Sequence, residues 1–275
     1  MTTPTTIRYA DFVESIAAAL QFISFYHPQD YIEHLARAYE AEASPAARDA
    51  IAQILTNSKM CAQGHRPICQ DTGIVNVFLK IGMDVRFGDF PASITDAVNV
   101  GVARAYLDAD NKLRGSIVAD PLFERKNTKD NTPAVVHMEV VPGNNVGVDV
   151  AAKGGGSEMK SKFVMLTSSD SLVDWVLKTV PTMGAGWCPP GMLGIGVGGT
   201  AEKAMLMAKE VLMEPIDMYE LLKRGPQISW KNFALSSTKR STRSALARRA
   251  WVACRPCSTS RSGRIRRTPS VSPSP

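Results

Sequence analysis

Four clusters of residues carry chemical potential. The first is Cys61-Ala-Gln-Gly-His65-Arg66-Pro67-Ile68-Cys69-Gln70-Asp71-Thr72-Gly73, which runs straight into a β-rich segment. A cysteine beside a carboxylate and a carboxamide on a turn suits two kinds of chemistry. Thiolates bind soft metals and iron–sulfur clusters. Gln70 and Asp71 are placed to orient a substrate or its hydroxyl. A glycine-capped turn with a buried cysteine accounts for the same segment without any chemistry.

The second cluster is Lys153-Gly154-Gly155-Gly156-Ser157. Three glycines after a strand let backbone N–H groups approach an anion closely. The segment is neither a P-loop nor a dinucleotide fingerprint, because the surrounding residues of both motifs are missing. The third is Gly184-Ala-Gly186-Trp187-Cys188-Pro189-Pro190-Gly191, followed by a strand and Gly198-Gly199-Thr200-Ala201-Glu202-Lys203. Two prolines hold the preceding cysteine in an extended, rigid turn, which suits a cluster ligand. Thr200 stands where it can cap the helix that follows. The fourth is Cys254-Arg-Pro-Cys257. It lacks the second pair, the nearby histidine and the βαβ context that a zinc or redox site requires.

Elements that position these residues are legible in the periodicity. Phe12, Ile16, Ala19, Leu20 and Ile23 recur at helical spacing, and Ile32, Leu35 and Tyr39 mark a second helix after the His27-Pro28 break. Ser44-Pro45 opens a third helix reaching about Met60. Strands are expected at 74–81, 134–141, 146–151 and 192–197, and helices at about 91–108, 171–178 and 201–213. The fold class is therefore mixed α/β, with N-terminal helices followed by β-sheets flanked by helices.

Composition excludes several classes. The 275 residues are 44% hydrophobic and 21% charged, which fits a folded globular chain rather than a disordered or collagen-like one. No apolar run reaches the roughly 18 residues of a membrane span, and the N-terminus shows no signal-peptide pattern. Five cysteines without an export signal fit a reducing compartment, so a cytoplasmic location is expected. The net charge of +6 is misleading. Lys231–Pro275 holds 11 basic residues and no acid, leaving residues 1–230 with 21 basic and 26 acidic residues. The body is mildly acidic and gives no hint of a nucleic-acid surface.

Taken together, CQDTG, AKGGGSE and GWCPPGMLGIGVGGTAEKA resemble the class I fumarate hydratases and the α-type L-tartrate dehydratases over about residues 8–227. The resemblance implies an iron–sulfur hydro-lyase interconverting (S)-malate and fumarate plus water, with L-tartrate dehydration as the alternative. It implies a [4Fe–4S] cluster on three cysteines, with Cys69 and Cys188 as two of them. The fourth iron is left open for substrate. It implies that Gln70 and Asp71 line the site, with Asp71 handling the hydroxyl. Arg114 matches the arginine that pairs with a substrate carboxylate, and Gly154 and Gly155 bring backbone close to substrate or cluster. The implied partners are a small dicarboxylate, a β-type domain or subunit that completes the site, and a second copy in a homodimer. Cys61 is expected to be a buried thiol. His65 and His137 are expected to be structural, and Asn127, Asp130 and Asn131 a polar loop without a catalytic role.

The resemblance stops near Pro226-Gln227, dividing the chain into a catalytic domain, 1–227, and a tail, 228–275, expected to be disordered. The third cluster cysteine is absent where the resemblance requires it. One permitted back-translation of AWVACRPCSTS, shifted by two bases, reads LGGLPTVLDV, close to the family segment expected there. The tail is therefore read as a frameshift product, and the chain as inactive alone. Two rival readings rest on the tail: a nucleic-acid-binding arm of basic residues, and a thiol redox pair at Cys254 and Cys257.

Overall fold

In the computed structural model, the described residues are 4–184, Gly186, 191–214 and Lys223, with the backbone of Ala250–Pro256. The chain opens with strand β1 (Thr5–Ile7) and helices α1 (Tyr9–Phe25), α2 (Gln29–Ala41) and α3 (Pro45–Gly64). Strands β2 (Ile74–Gly82) and β3 (Val85–Phe87) follow, then α4 (Ile94–Tyr106) and a short pair, β4 (Val118–Ala119) and β5 (Lys126–Asn127). Next come β6 (Val135–Val141), β7 (Val146–Lys153), α5 (Gly155–Met159), α6 (Leu172–Thr179), β8 (Gly191–Val197), α7 (Ala201–Glu210) and β9 (Ala250–Pro256). The mixed α/β class expected from periodicity is the class observed.

The central sheet has the order β6-β2-β7, with β2 parallel to β6 and antiparallel to β7. Side chains alternate along a strand, so β2 offers Val75, Val77 and Leu79 to one face. That face packs on α1 and α4. Phe12, Val13, Ile16 and Leu20 of α1 meet Ala97, Val98, Val102, Ala105 and Tyr106 of α4 in one buried cluster. Burial of side chains of this size stabilises by roughly 1.5–3 kcal/mol each before entropy is counted. The two helices approach so closely that a Cβ on Gly101 would stand 2.7 Å from the Ile16 side chain and 2.9 Å from the Val13 carbonyl oxygen. α4 starts with a full capping box: the Ser93 hydroxyl accepts from the Asp96 N–H, and the Asp96 carboxylate accepts from the Ser93 N–H.

The opposite face of β2 carries polar residues. Asn76, 1% exposed, accepts from the Lys209 ammonium of α7 at 3.2 Å. Lys80 pairs with Glu210 at 3.2 Å. These bonds tie α7 to the sheet.

β9 is parallel to β8, with Ile195 opposite Cys254. Ala250–Pro256 is the part of the tail, expected to be disordered, whose backbone is described. The run Ala-Trp-Val-Ala-Cys is the most apolar stretch of the tail, and its backbone finds partners on the β8 edge. Cys257 lies outside the described residues. Thr200 precedes α7, but its hydroxyl donates to Glu202 at 2.6 Å and makes no bond to the helix backbone.

Candidate functional site

Sheet register brings the site together. Ile74 opposes Lys153 in the β2–β7 ladder, and Asn76 opposes Val135 in the β2–β6 ladder. Residues 69–73 before β2, 154–157 after β7 and 127–134 before β6 therefore all emerge at one end of the sheet. None of these three segments is near another in sequence.

Asp71 is the junction between the first two. One carboxylate oxygen accepts from the Gly73 N–H at 3.2 Å, an Asx-type turn bond, and the other accepts from the Gly155 N–H at 2.8 Å. Asp71 itself is exposed. Close approach explains two of the glycines. Gly73 sits at φ +78°, and a Cβ there would come 2.5 Å from the Lys153 carbonyl carbon. A Cβ on Gly154 would come 2.9 Å from the Asp71 carboxylate. The glycine run is thus a cradle for a carboxylate of this chain.

Cys69 is exposed, and its sulfur accepts from the Asp71 N–H at 3.4 Å. Gln70 is exposed beside it. Cys61 is buried and faces the Asn57 side chain and the Pro67 carbonyl, each at 3.6 Å. It is a core thiol, as expected. His65 adopts a left-handed conformation at the end of α3, bonds the Tyr26 hydroxyl at 3.0 Å and stacks on Phe25. His137 stacks on Phe78. Both histidines have structural settings. Burial holds His137 below its ordinary value, the Lys209 charge adds to this, and Glu210 opposes it.

Arg114 reaches the same end of the sheet. Its carbonyl accepts from the Thr72 hydroxyl, and its side chain is exposed. The Thr72 carbonyl in turn accepts from the buried Tyr106 hydroxyl at 3.0 Å. Burial raises the Tyr106 phenol above its ordinary range, with the Thr72 bond acting against the shift. The structure thus places Cys69, Gln70, Asp71, Arg114, Gly154 and Gly155 on adjoining segments. Cys188 lies outside the described residues. A Cβ on Gly156 would stand 2.5 Å from the Gly186 carbonyl oxygen, so chain two residues before Cys188 borders the glycine turn.

Three groups around the site are not apparent from residue type and spacing. Glu158 of α5 is paired with Lys153 at 3.1 Å and Lys209 at 2.7 Å. Burial pushes its carboxyl up, but the hydrogen bonds and charges of the two lysines outweigh this and hold it below the usual carboxylate range. Asn131 is fully buried and bonds three backbone groups. A pairing rule for side chains on different loops would be needed to find either. Tyr106 is the third; its helical periodicity reads only as core.

The donor chemistry of Cys69 fits a cluster ligand: an exposed sulfur already acting as hydrogen-bond acceptor. Among the described residues, no group of three or more His, Cys, Asp or Glu side chains could hold a metal ion. The described part of the site supplies one exposed thiol, Cys69. Among the described residues, no helix is long and apolar enough to cross a membrane.

The sequence model of the family described as Fumarate hydratase (Fumerase) matches residues 13–231. The putative L(+)-tartrate dehydratase subunit alpha of Methanocaldococcus jannaschii is 33% identical over 201 residues, covering 70% of this chain and 69% of its own length. The L(+)-tartrate dehydratase subunit alpha of Escherichia coli strain K12 is 26% identical over 210 residues, covering 74% of this chain and 67% of its own. The span of the family match takes in every segment that meets at the end of β2, and the chain belongs to the fumarate hydratase family.

Proposed function

We propose that residues 1–227 are the α-type part of an iron–sulfur hydro-lyase that interconverts (S)-malate and fumarate plus water. The observation that carries this reading is the Asp71 carboxylate, fixed by two backbone N–H groups beside the exposed Cys69 and the Arg114 loop. Cys69 and Cys188 would hold a [4Fe–4S] cluster, which when bound supplies a Lewis-acidic iron for the substrate's hydroxyl and carboxylate. Arg114 then takes the far carboxylate through paired N–H donors, a task for which a planar guanidinium is suited. In hydration Asp71 takes a proton from water as the water oxygen bonds to carbon, and in dehydration it gives that proton to the departing hydroxide. The proton of the adjacent C–H bond passes to or from a general base supplied by the β-type part, and the two N–H bonds keep Asp71 aimed without reorganisation. Gln70 orients the hydroxyl. Gly154 and Gly155 leave the backbone room to approach the substrate.

L-tartrate is the second substrate supported, because the curated relatives are named tartrate dehydratase alpha subunits. The name "alpha" also supports a β-type subunit or domain that completes the site. A homodimer and a cytoplasmic setting, which would keep the thiols reduced, belong to the same proposal. The third cluster cysteine has no counterpart in this chain where the resemblance requires it, and the family match ends at residue 231. The tail from 228 is read as the product of a frameshift, and the chain as written as inactive. Resequencing across codons 220–275 tests the frameshift: an uninterrupted frame as written would remove it. The function is tested by assembling a frame-restored chain with its β-type partner, loading it with cluster, and comparing turnover of malate and L-tartrate. Asp71→Asn is expected to lower kcat at least a hundredfold, the scale of a lost acid–base group. Undiminished turnover in that variant would remove Asp71 from the reaction.

A further inference from the structure

Asn131 is 0% exposed and sits at φ 61°, in the left-handed region that asparagine tolerates better than most residues. Its carboxamide oxygen accepts from the Ser116 N–H at 2.6 Å and the Ile117 N–H at 3.2 Å. Its amide nitrogen donates to the Gly73 carbonyl at 3.0 Å. One side chain therefore holds the loop that follows Arg114 and the turn that carries Asp71. Neighbouring bonds reinforce the first grip. The Asn127 side chain donates to the Gly115 carbonyl at 2.8 Å, and the Thr128 N–H to the Ile117 carbonyl at 3.0 Å. The second grip, from the 127–131 loop to Gly73, belongs to Asn131.

The chemistry is specific to a carboxamide. Two N–H groups on one side need an acceptor, and a carbonyl on the other needs a donor. Aspartate accepts but does not donate. Leucine does neither, and would leave three buried backbone groups unpaired. Glutamine has both ends but a longer reach.

We infer that Asn131 is a positioning residue: it sets the spacing between Arg114 and Asp71, and hence the length of dicarboxylate that the two can span. This inference rests on the proposed roles of those two residues. Coupling runs from Asn131 through Gly73 and Asp71 to the Gly155 amide, a group bonded to Asp71.

Residue-resolved amide exchange by NMR on the full chain tests the coupling in Asn131→Asp and Asn131→Gly. In Asn131→Asp, the Ser116 and Ile117 amides stay protected because the acceptor remains. The Gly155 amide exchanges about tenfold faster or more, while Leu79 in β2 and Val102 in α4 are unchanged. Asn131→Gly suits the backbone angle and removes all three bonds, so Ser116, Ile117 and Gly155 all accelerate. Unchanged Gly155 exchange in Asn131→Asp overturns the inference. So does acceleration of Leu79 and Val102 together with it, which marks a general loss of fold. In the assembled, cluster-loaded enzyme, Asn131→Asp raises KM for the dicarboxylate about tenfold and changes kcat less. A merely structural defect lowers the active fraction and leaves KM alone. If the native assembled enzyme turns over neither malate nor L-tartrate, the functional reading has failed, and the exchange result still decides the coupling.

Discussion

Alanine at Gly154 and alanine at Gly155 are expected to behave oppositely, although the residues are neighbours. Gly154 has φ −60° and ψ 151°, a conformation alanine adopts without strain. The difference is steric. A Cβ on Gly154 meets the Asp71 carboxylate at 2.9 Å, whereas a Cβ on Gly155 stands 3.8 Å from the same oxygen. Carbon contacts settle near 3.5 Å, so in Gly154→Ala the carboxylate must retreat by roughly 0.5 Å. That lengthens its 2.8 Å bond from the Gly155 N–H to roughly 3.3 Å, past the ordinary 2.7–3.2 Å range, and weakens it. A hydrogen bond to a charged group contributes about 1.5–3 kcal/mol, and the lower end applies at this exposed position. Alanine offsets about 0.4–1 kcal/mol through the unfolded chain. The net loss is about 1 kcal/mol, or about 0.5 M in a urea midpoint at a slope near 2 kcal/mol/M. Gly155→Ala keeps the N–H and the bond, gains helix propensity at the start of α5, and is expected to be neutral or more stable. Urea unfolding of both variants, with exchange of the residue-155 amide, measures this. Equal midpoints, or a protected residue-155 amide in Gly154→Ala, would refute the cradle.

Two more predictions concern the scaffold. Burial holds His27 below its ordinary value, beside the Ser58 hydroxyl at 3.0 Å. The folded state favours the neutral ring, so its contribution is complete above the unfolded value of about 6.5 and is lost as pH falls through the lower folded value. His27→Gln is therefore expected to flatten the decline in stability between about pH 7 and pH 5. An unchanged slope in urea titrations across that range would argue against it. In β8, a Cβ on Gly196 would collide with the Ala204 carbonyl of α7. Gly196→Ala is expected to destabilise by about 1–3 kcal/mol and to loosen the Lys209–Glu158 pair. A variant as stable as the native chain by thermal unfolding would show that α7 shifts freely.

Much of the fold is legible because its signals are local. The helices at 9–25, 29–41 and 45–64 follow from apolar spacing and from breaks at His27-Pro28 and Ser44-Pro45. The strands at 74–82, 135–141 and 146–153 follow from alternation and β-branched runs. Short pieces without periodicity escape: β1 and β3 have three residues each, and their parallel pairing joins segments about 80 residues apart. α5 is five residues long and begins in a glycine run that reads as loop.

Candidate site residues are legible as types, and the register explains why they meet. The opposition of Ile74 and Lys153 brings CQDTG to KGGG, a fact no local pattern contains. Asp71 is the protein neighbour of Gly154 and Gly155, and the Gly186 carbonyl that of Gly156, pairings that residue type does not foretell. Asn131 escaped because an asparagine in a polar loop carries no sign of burial. Its role depends on three backbone groups at sequence distances of 14, 15 and 58.

We propose that this chain carries hydro-lyase site residues but an incomplete cluster ligand set. Anaerobic reconstitution with iron and sulfide, followed by electron paramagnetic resonance and turnover on malate and L-tartrate, tests it most directly. The chain as written is expected to show neither a stable cluster nor turnover. The chain read in the alternative frame from about residue 228, with its β-type partner, is expected to show both. Turnover by the chain as written, or none by the frame-restored assembly, would contradict the account.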